Sequence, residues 1–345
     1  MEKNSLRSFE KINSNLEQIT SLILHSKFLI GLPKVAQFYK DNLRWWCFME
    51  NKLTYKKNRK ININTWKFIL IPTLLIVIFS FYPMIKALIL SFQSGKGLAT
   101  QFSGISNYIR LFSDPVFKQS VFNTLIYLVI QVPIMLILGL IIASLLNSKY
   151  IKFKGFFRTA IFLPCITSLV AYSVLFKSLF SVDGVVNKFL MFINVIDQPI
   201  AWLLDPFWAK IVIIIAITWR WTGYNMMFYL AAMQNIDTSV YEAAKVDGAT
   251  GIKQFFKITI PMLKPIILFT AITSTNGTLQ LFDEAMNITA GGPGNATMTI
   301  SQYIYNLSFV YTPNFGYAAT VSYAIVFMVA ILAIIQSKVA GGKNE

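Results

Sequence analysis

Apolar residues in this 345-residue chain gather into long uncharged runs separated by polar stretches. Six runs stand out: 68–85, 119–148, 159–176, 211–236 (broken only by Arg220), 265–282 and 317–336. Each holds about 18 residues or more, and as a helix that length crosses a hydrocarbon layer of about 30 Å with some tilt. Ile, Leu, Val and Phe dominate them, so the expected solvent is lipid. Pro72, Pro83, Pro133, Pro164, Gly139 and Gly223 fall inside the runs, where they kink or loosen helices as bundles lining a pathway allow.

The first 64 residues are patterned differently. Leu6, Phe9, Ile12, Leu16, Ile19 and Ile23 recur every three or four positions, which predicts an amphipathic helix. Trp45, Trp46, Phe48 and Met49 then precede Lys56, Lys57, Arg59 and Lys60. Aromatics beside a basic cluster suit the headgroup layer of an inner leaflet, though such an arm could equally pack on its own protein or on a partner. No early apolar core leads to a small-residue cleavage site, so no signal peptide is expected. The division predicted is a basic arm at 1–64 and a membrane region at 65–345.

Composition agrees with the pattern: 55% of residues are apolar and 13% charged. Soluble chains carry about 25% charge, so an ordinary cytosolic enzyme is excluded. The 31 basic residues exceed the 15 acidic ones by 16. That excess is too lipophilic a setting for a nucleic-acid binder, and it fits basic cytoplasmic loops. Residues 1–64 hold 12 basic and 5 acidic residues, 149–158 holds Lys149, Lys152, Lys154 and Arg158, and 237–264 holds Lys245, Lys253, Lys257 and Lys264. By contrast 177–205 has two basic and three acidic residues, and 283–316 has Asp283 and Glu284 with no base. Only 91–118, with three basic residues and Asp114, is ambiguous. The positive-inside rule then predicts an all-α polytopic protein with six crossings and both termini cytoplasmic.

Between the fourth and fifth runs, Ser239 reads as an N-cap and Glu242 completes a capping box. Ala243 and Ala244 favour a helix with little bulk, Gly248 can end it in a left-handed conformation, and an apolar-faced stretch 252–258 leads to Pro261. The prediction is two short helices joined by a sharp turn, a surface shaped to be gripped by another protein. Glu242-Ala243-Ala244, Gly248, Ile258 and Ile260-Pro261 resemble the EAA loop of permease subunits of bacterial ABC importers, spacing for spacing, with Ile where that pattern has Leu at 260. Trp219–Asn225, Gly277–Glu284 and Thr289–Pro293 resemble the carbohydrate-uptake branch, on the side of its first permease subunit. The resemblance covers about 66–340 and leaves the arm outside.

The resemblance implies a six-helix bundle of the ABC importer permease type, a multi-pass protein of the bacterial cell membrane. It implies four kinds of partner: a second homologous permease, a cytoplasmic ATP-binding subunit dimer, an extracellular sugar-binding (lipo)protein and membrane lipid. ATP and Mg would sit on the partner ATPase, and this chain has no G-x-x-x-x-G-K-[ST] loop of its own. The docking loop is 237–261, with Tyr241, Glu242, Ala243, Ala244, Asp247, Gly248, Ala249, Phe255, Ile258 and Pro261 as its carrying residues. Carried over in the same way, the substrate path takes Ser274, Asn276, Gly277, Thr278, Leu281 and Phe282, with Asn225 from the fourth run. Physics is compatible, because each buried sugar hydroxyl needs hydroxyl or amide partners. Helix-to-helix hydrogen bonding explains the same residues without a sugar.

Arg220 is the one charge in the fourth run, where an unpaired charge costs roughly 2.5–3.5 kcal/mol on insertion scales. It is expected to face a partner or a watery cavity, in a structural ion pair or subunit contact rather than on substrate. Asp283 and Glu284 are expected to be solvated or to touch the binding protein. His25 reads as a surface residue, and Cys47 and Cys165 fall in different compartments, against a disulfide. Three rivals compete with a sugar importer subunit. An ion-coupled transporter wants carboxylates or His within its spans, which are almost absent. A membrane enzyme needs clustered His, Cys or carboxylates, and the chain has one His. An ABC permease for a non-sugar solute is the nearest alternative.

Overall fold

A computed structural model describes residues 63–97, 99–148 and 150–341. The arm readings, with His25 and Cys47, and the charge at Lys149 lie outside the described residues. Ile63–Ser80 belongs to one compact unit and Phe81 onward to a second.

Helix α1 (Ile63–Ile76) passes through a π-helical turn (Val77–Phe81) into α2 (Tyr82–Ser91). A short antiparallel hairpin follows, β1 (Gln93–Lys96) with β2 (Ala99–Phe102), pairing Gln93 with Phe102. It is the one departure from an all-α chain among the described residues, and Gly95 and Gly97, both at positive φ, make its tight return possible. Next come α3 (Ser106–Ser113), α4 (Pro115–Asn147), α5 (Lys154–Ile166), α6 (Leu169–Leu179), α7 (Val185–Phe192) and α8 (Pro206–Gln234). The cytoplasmic-type loop carries α9 (Thr238–Val246) and α10 (Gly251–Gln254), and a π turn leads to α11 (Ile260–Met262) and α12 (Lys264–Leu279). The chain closes with α13 (Ile300–Tyr305) and α14 (Phe315–Gly341).

Among the described residues, four helices are long and apolar enough to cross a membrane, at Phe68–Ser91, Pro115–Asn147, Pro206–Gln234 and Phe315–Lys338. The third run is not a straight span, and the fifth lies on a 16-residue helix that follows a bend. Helices α5 and α6 meet at 98°, and the Gly251–Met262 stretch meets α12 at 69°. Apolar length predicts that a segment is buried in lipid or protein, and it carries no information about a sharp bend. Pro164 stands just before the first break, where the Thr167 hydroxyl donates to the Pro164 carbonyl at 2.7 Å.

The two longest helices start with one device, an Asp-Pro pair. Asp114 Oδ1 accepts from the Val116 and Phe117 amides at 2.8 and 3.2 Å, and Asp205 Oδ1 from Phe207 and Trp208 at 2.9 and 3.0 Å. The cap satisfies amides that the helix leaves open, and Pro at the first position loses nothing. In lipid, helices associate through close packing rather than through expulsion of water. Small residues accordingly mark the centre. A Cβ on Gly139 of α4 would lie 3.2 Å from the Asn225 Cβ on α8, and one on Gly223 of α8 would lie 2.1 Å from the Ile161 carbonyl oxygen on α5. Thus α8 is sandwiched between α4 and α5.

At the head of α4, Asp114 Oδ2 also accepts from the hydroxyls of Tyr303 at 2.5 Å and Tyr317 at 2.6 Å, and Arg110 lies 4.1 Å from the Tyr317 ring. One carboxylate therefore joins α4, α13 and α14. Burial pushes its pKa up, but the bonds from Tyr303, Tyr317, Phe117 and Val116 outweigh that and hold it below the usual carboxylate value.

Candidate functional site

The loop 237–261 folds as a helical hairpin. Asp237, not Ser239, caps α9: its Oδ1 accepts from the Ser239 amide at 2.9 Å, and this lowers the Asp237 pKa. The expected capping box is therefore shifted off Ser239, because the carboxylate two residues earlier takes the open amide. At the other end Gly248 has φ +75°, the Ala249 amide donates to Ala244 at 2.8 Å, and the Gly248 amide to Lys245 at 3.0 Å. These are the two bonds of a Schellman stop. Nothing lies within 4 Å of a Cβ built on Gly248, so backbone conformation is what favours glycine there.

Two side-chain bonds tie the hairpin together. The Tyr241 and Thr259 hydroxyls lie 3.0 Å apart, and the Gln254 amide donates to the Ala249 carbonyl at 2.9 Å. With those inside, Glu242, Ala243, Asp247 and Pro261 are exposed, and Ala244, Ala249, Phe255 and Ile258 are half-buried. Beside them Val246 is 89% exposed, Ile252 75% and Phe256 62%. The hairpin presents two carboxylates, Glu242 and Asp247, beside apolar side chains that none of the described residues covers. Val246, Ile252 and Phe256 were legible only as apolar residues in a polar loop.

A second site is a cavity of about 410 Å³ between α4, α8 and α12. Small-molecule sites span about 300–1,000 Å³. Asn225, Ser274, Gly277, Thr278, Leu281 and Phe282 all line it. Asn276 does not: its Oδ1 accepts at 2.7 Å from Gln280, which is itself a lining residue. The space over Gly277 is open for 4 Å around a would-be Cβ. Thr278 donates to the Gln131 Oε1 at 3.2 Å, and Ser274 to the Asn225 Oδ1 at 3.5 Å. Hydroxyls and amides thus face the cavity in paired, redirectable bonds, and the Trp221 and Tyr224 rings, 5.9 Å apart, add aromatic surface. Such a lining suits a hydroxyl-rich solute, and Arg220, Asp283 and Glu284 add charge to the same wall. No His, Cys, Asp or Glu cluster fit to hold a metal exists among the described residues.

Gln131, Trp221, Tyr224 and Glu284 belong to the wall without having been placed there by the sequence. Gln131 carried a signal, since an amide in the middle of the run 119–148 needs a partner. Glu284 is not solvated but buried, at 4% exposure; burial raises its carboxyl pKa and the Arg220 charge pulls it back. Arg220 does face the cavity wall, as expected. Its Nη2 donates to the Thr167 carbonyl at 3.1 Å, its Nε and Nη1 have no hydrogen-bond partner, and the Tyr172 and Trp221 rings lie 5.0 and 5.6 Å away. Cys165 is a free thiol.

A permease built this way belongs to a known class. The chain is a member of the binding-protein-dependent transport system inner membrane component family, whose model matches residues 116–341. It is similar to the lactose transport system permease protein LacF of Rhizobium radiobacter, 59% identical over 280 residues, which is 81% of this chain and 94% of the relative. The arabinooligosaccharides transport system permease protein AraP of Halalkalibacterium halodurans is 36% identical over 232 residues, 66% of this chain and 72% of its own. Among solved structures, a bacterial alginate ABC transporter in complex with an alginate pentasaccharide-bound periplasmic protein matches with a TM-score of 0.69 and 25% identity, covering 82% of this chain and 94% of that one. The chain is a transport subunit of the membrane and not an enzyme.

Proposed function

We propose that this chain is the sugar-path permease of an ATP-driven, binding-protein-dependent importer for a di- or oligosaccharide. It crosses the bacterial cell membrane six times with both termini cytoplasmic, each bent helix pair serving as one crossing. A second homologous permease completes the pathway, an extracellular sugar-binding (lipo)protein delivers the sugar, and a cytoplasmic ATPase dimer docks on 237–261. ATP and Mg stay on that dimer. Substrate passes Asn225, Ser274, Gly277, Thr278, Leu281 and Phe282. The observation that carries the reading is a cavity whose hydroxyls, amides and aromatic rings gather at the residues that the sugar-permease resemblance implies, with Arg220, Asp283 and Glu284 in the same wall. The relative named for lactose, at 59% identity, makes lactose the first sugar to try.

A mild-detergent pull-down of the tagged chain from its native membrane, read by mass spectrometry, tests the assembly. Uptake of labelled lactose by the recovered complex in liposomes then tests the cargo. Recovery of a second permease, an ATPase and a sugar-binding protein is expected. A stably folded chain recovered alone contradicts the reading and favours an ion-coupled transporter.

A further inference from the structure

Arg220 holds the break in the third span. Helix α5 ends at Ile166, where its last carbonyls have no helical partners and the negative end of the helix dipole lies, a natural seat for a cation. The Arg220 Nη2 takes the Thr167 carbonyl there at 3.1 Å, and one turn along α8 the Gly223 backbone rests on Ile161. Helices α5 and α8 are therefore pinned at two points, one of them at the 98° bend. Yet the seat is underfilled. Arg220 is 5% exposed and two of its nitrogens are unpartnered, while Glu284, also buried, lies near enough to feel its charge, with the Trp221 indole touching both. Arg220, with two buried nitrogens unpartnered, and Glu284, a buried carboxylate in the wall of the same cavity, are a pair that a shift of the helices would close.

Helix α8 also leads directly into the hairpin. It runs unbroken from Pro206 to Gln234, and Asp237 caps α9 three residues later. We propose that Arg220 is a positioning residue that latches the bent third span: it holds Thr167 in the state described, and in the opposite transport state it leaves Thr167 for Glu284, letting α6 swing at the break. The inference rests on the importer reading above, in which the permease moves its sugar by alternating between inward- and outward-facing states. It goes beyond that reading in naming the moving joint and the two acceptors that define its states.

The test uses the assembled importer in nanodiscs, in a background without Cys47 and Cys165. Spin labels are placed at Leu163 on α5 and Val174 on α6, which are 54% and 59% exposed. Wild type should show one distance without nucleotide and a second when trapped with ATP and vanadate. Arg220→Gln should broaden the first distance and lower uptake about tenfold or more, with Arg220→Lys recovering part of both. Glu284→Gln should keep the first distance and lose the shift. If Arg220→Gln does not assemble, Arg220→Lys and Glu284→Gln still decide. Unchanged distances in either Arg220 variant, or an intact shift in Glu284→Gln, overturns the latch. A wild-type complex that shifts with nucleotide but moves no sugar counts against the cargo and not against the latch.

Discussion

The docking hairpin and the cavity are made by opposite routes. The hairpin draws its bonds from within 25 residues: Asp237 to Ser239, Ala249 to Ala244, Tyr241 to Thr259. The cavity brings Gln131 of α4 onto Thr278 of α12, 147 residues apart, and Asn225 of α8 onto Ser274, 49 apart. A local unit can keep its shape while it is pushed as one piece by a partner. A wall shared among helices changes shape when those helices move. That difference suits the hairpin to receive force and the cavity to release a solute, and it separates what mutations in each should do.

The largest effect is expected in the hairpin. Glu242→Lys places a cation where the docking face has a carboxylate, and reversing an interface charge costs about 2–5 kcal/mol, so binding-protein-stimulated ATP hydrolysis and sugar uptake should both fall by roughly 30-fold or more. Retained ATPase in the pull-down of this variant would count against the docking face. Next, Thr278→Val leaves the buried Gln131 oxygen without its donor, at about 1–3 kcal/mol. Uptake should drop about fivefold or more while ATP hydrolysis continues, a split that Glu242→Lys cannot give. Asp114 sharpens the comparison from outside both regions. Its lowered pKa means that its stabilisation is complete above the unfolded carboxylate value of about 3.9 and is lost as pH falls through the lower folded value. Melting of the wild-type complex should fall between pH 5 and 3, whereas Asp114→Asn should begin lower at pH 7 and change less over that range. Smallest of all, Asn276→Ala should leave uptake within about twofold, because Asn276 serves only Gln280.

The sequence carried the hairpin almost completely because its signals are local: a small-residue helix, a glycine at the stop, and spacing over 20 residues. Its one slip, Ser239 for Asp237 as the cap, is a contest between two good caps two positions apart. Four of the six apolar runs became single long helices for the same reason of local composition. The bends at 166–168 and 262–264 were not legible, since Pro164 and Pro261 announce a kink and not its angle. In the cavity, Ser274, Gly277 and Thr278 sit at helical spacing on α12 and line the wall, while Asn276 sits one step round the helix, outside the lining. Glu284 was read as solvated or touching the binding protein because charge in a loop usually is; only the packing of α4, α8 and α12 together buries it.

The central claim is that force enters at 237–261 and sugar passes the wall at Thr278. The ratio of sugar transported to ATP hydrolysed, measured on the reconstituted importer, tests it most directly. The account predicts a normal ratio at a much lower rate for Glu242→Lys and a depressed ratio at a near-normal hydrolysis rate for Thr278→Val. A Thr278→Val importer that loses uptake and hydrolysis in the same proportion as Glu242→Lys would contradict it.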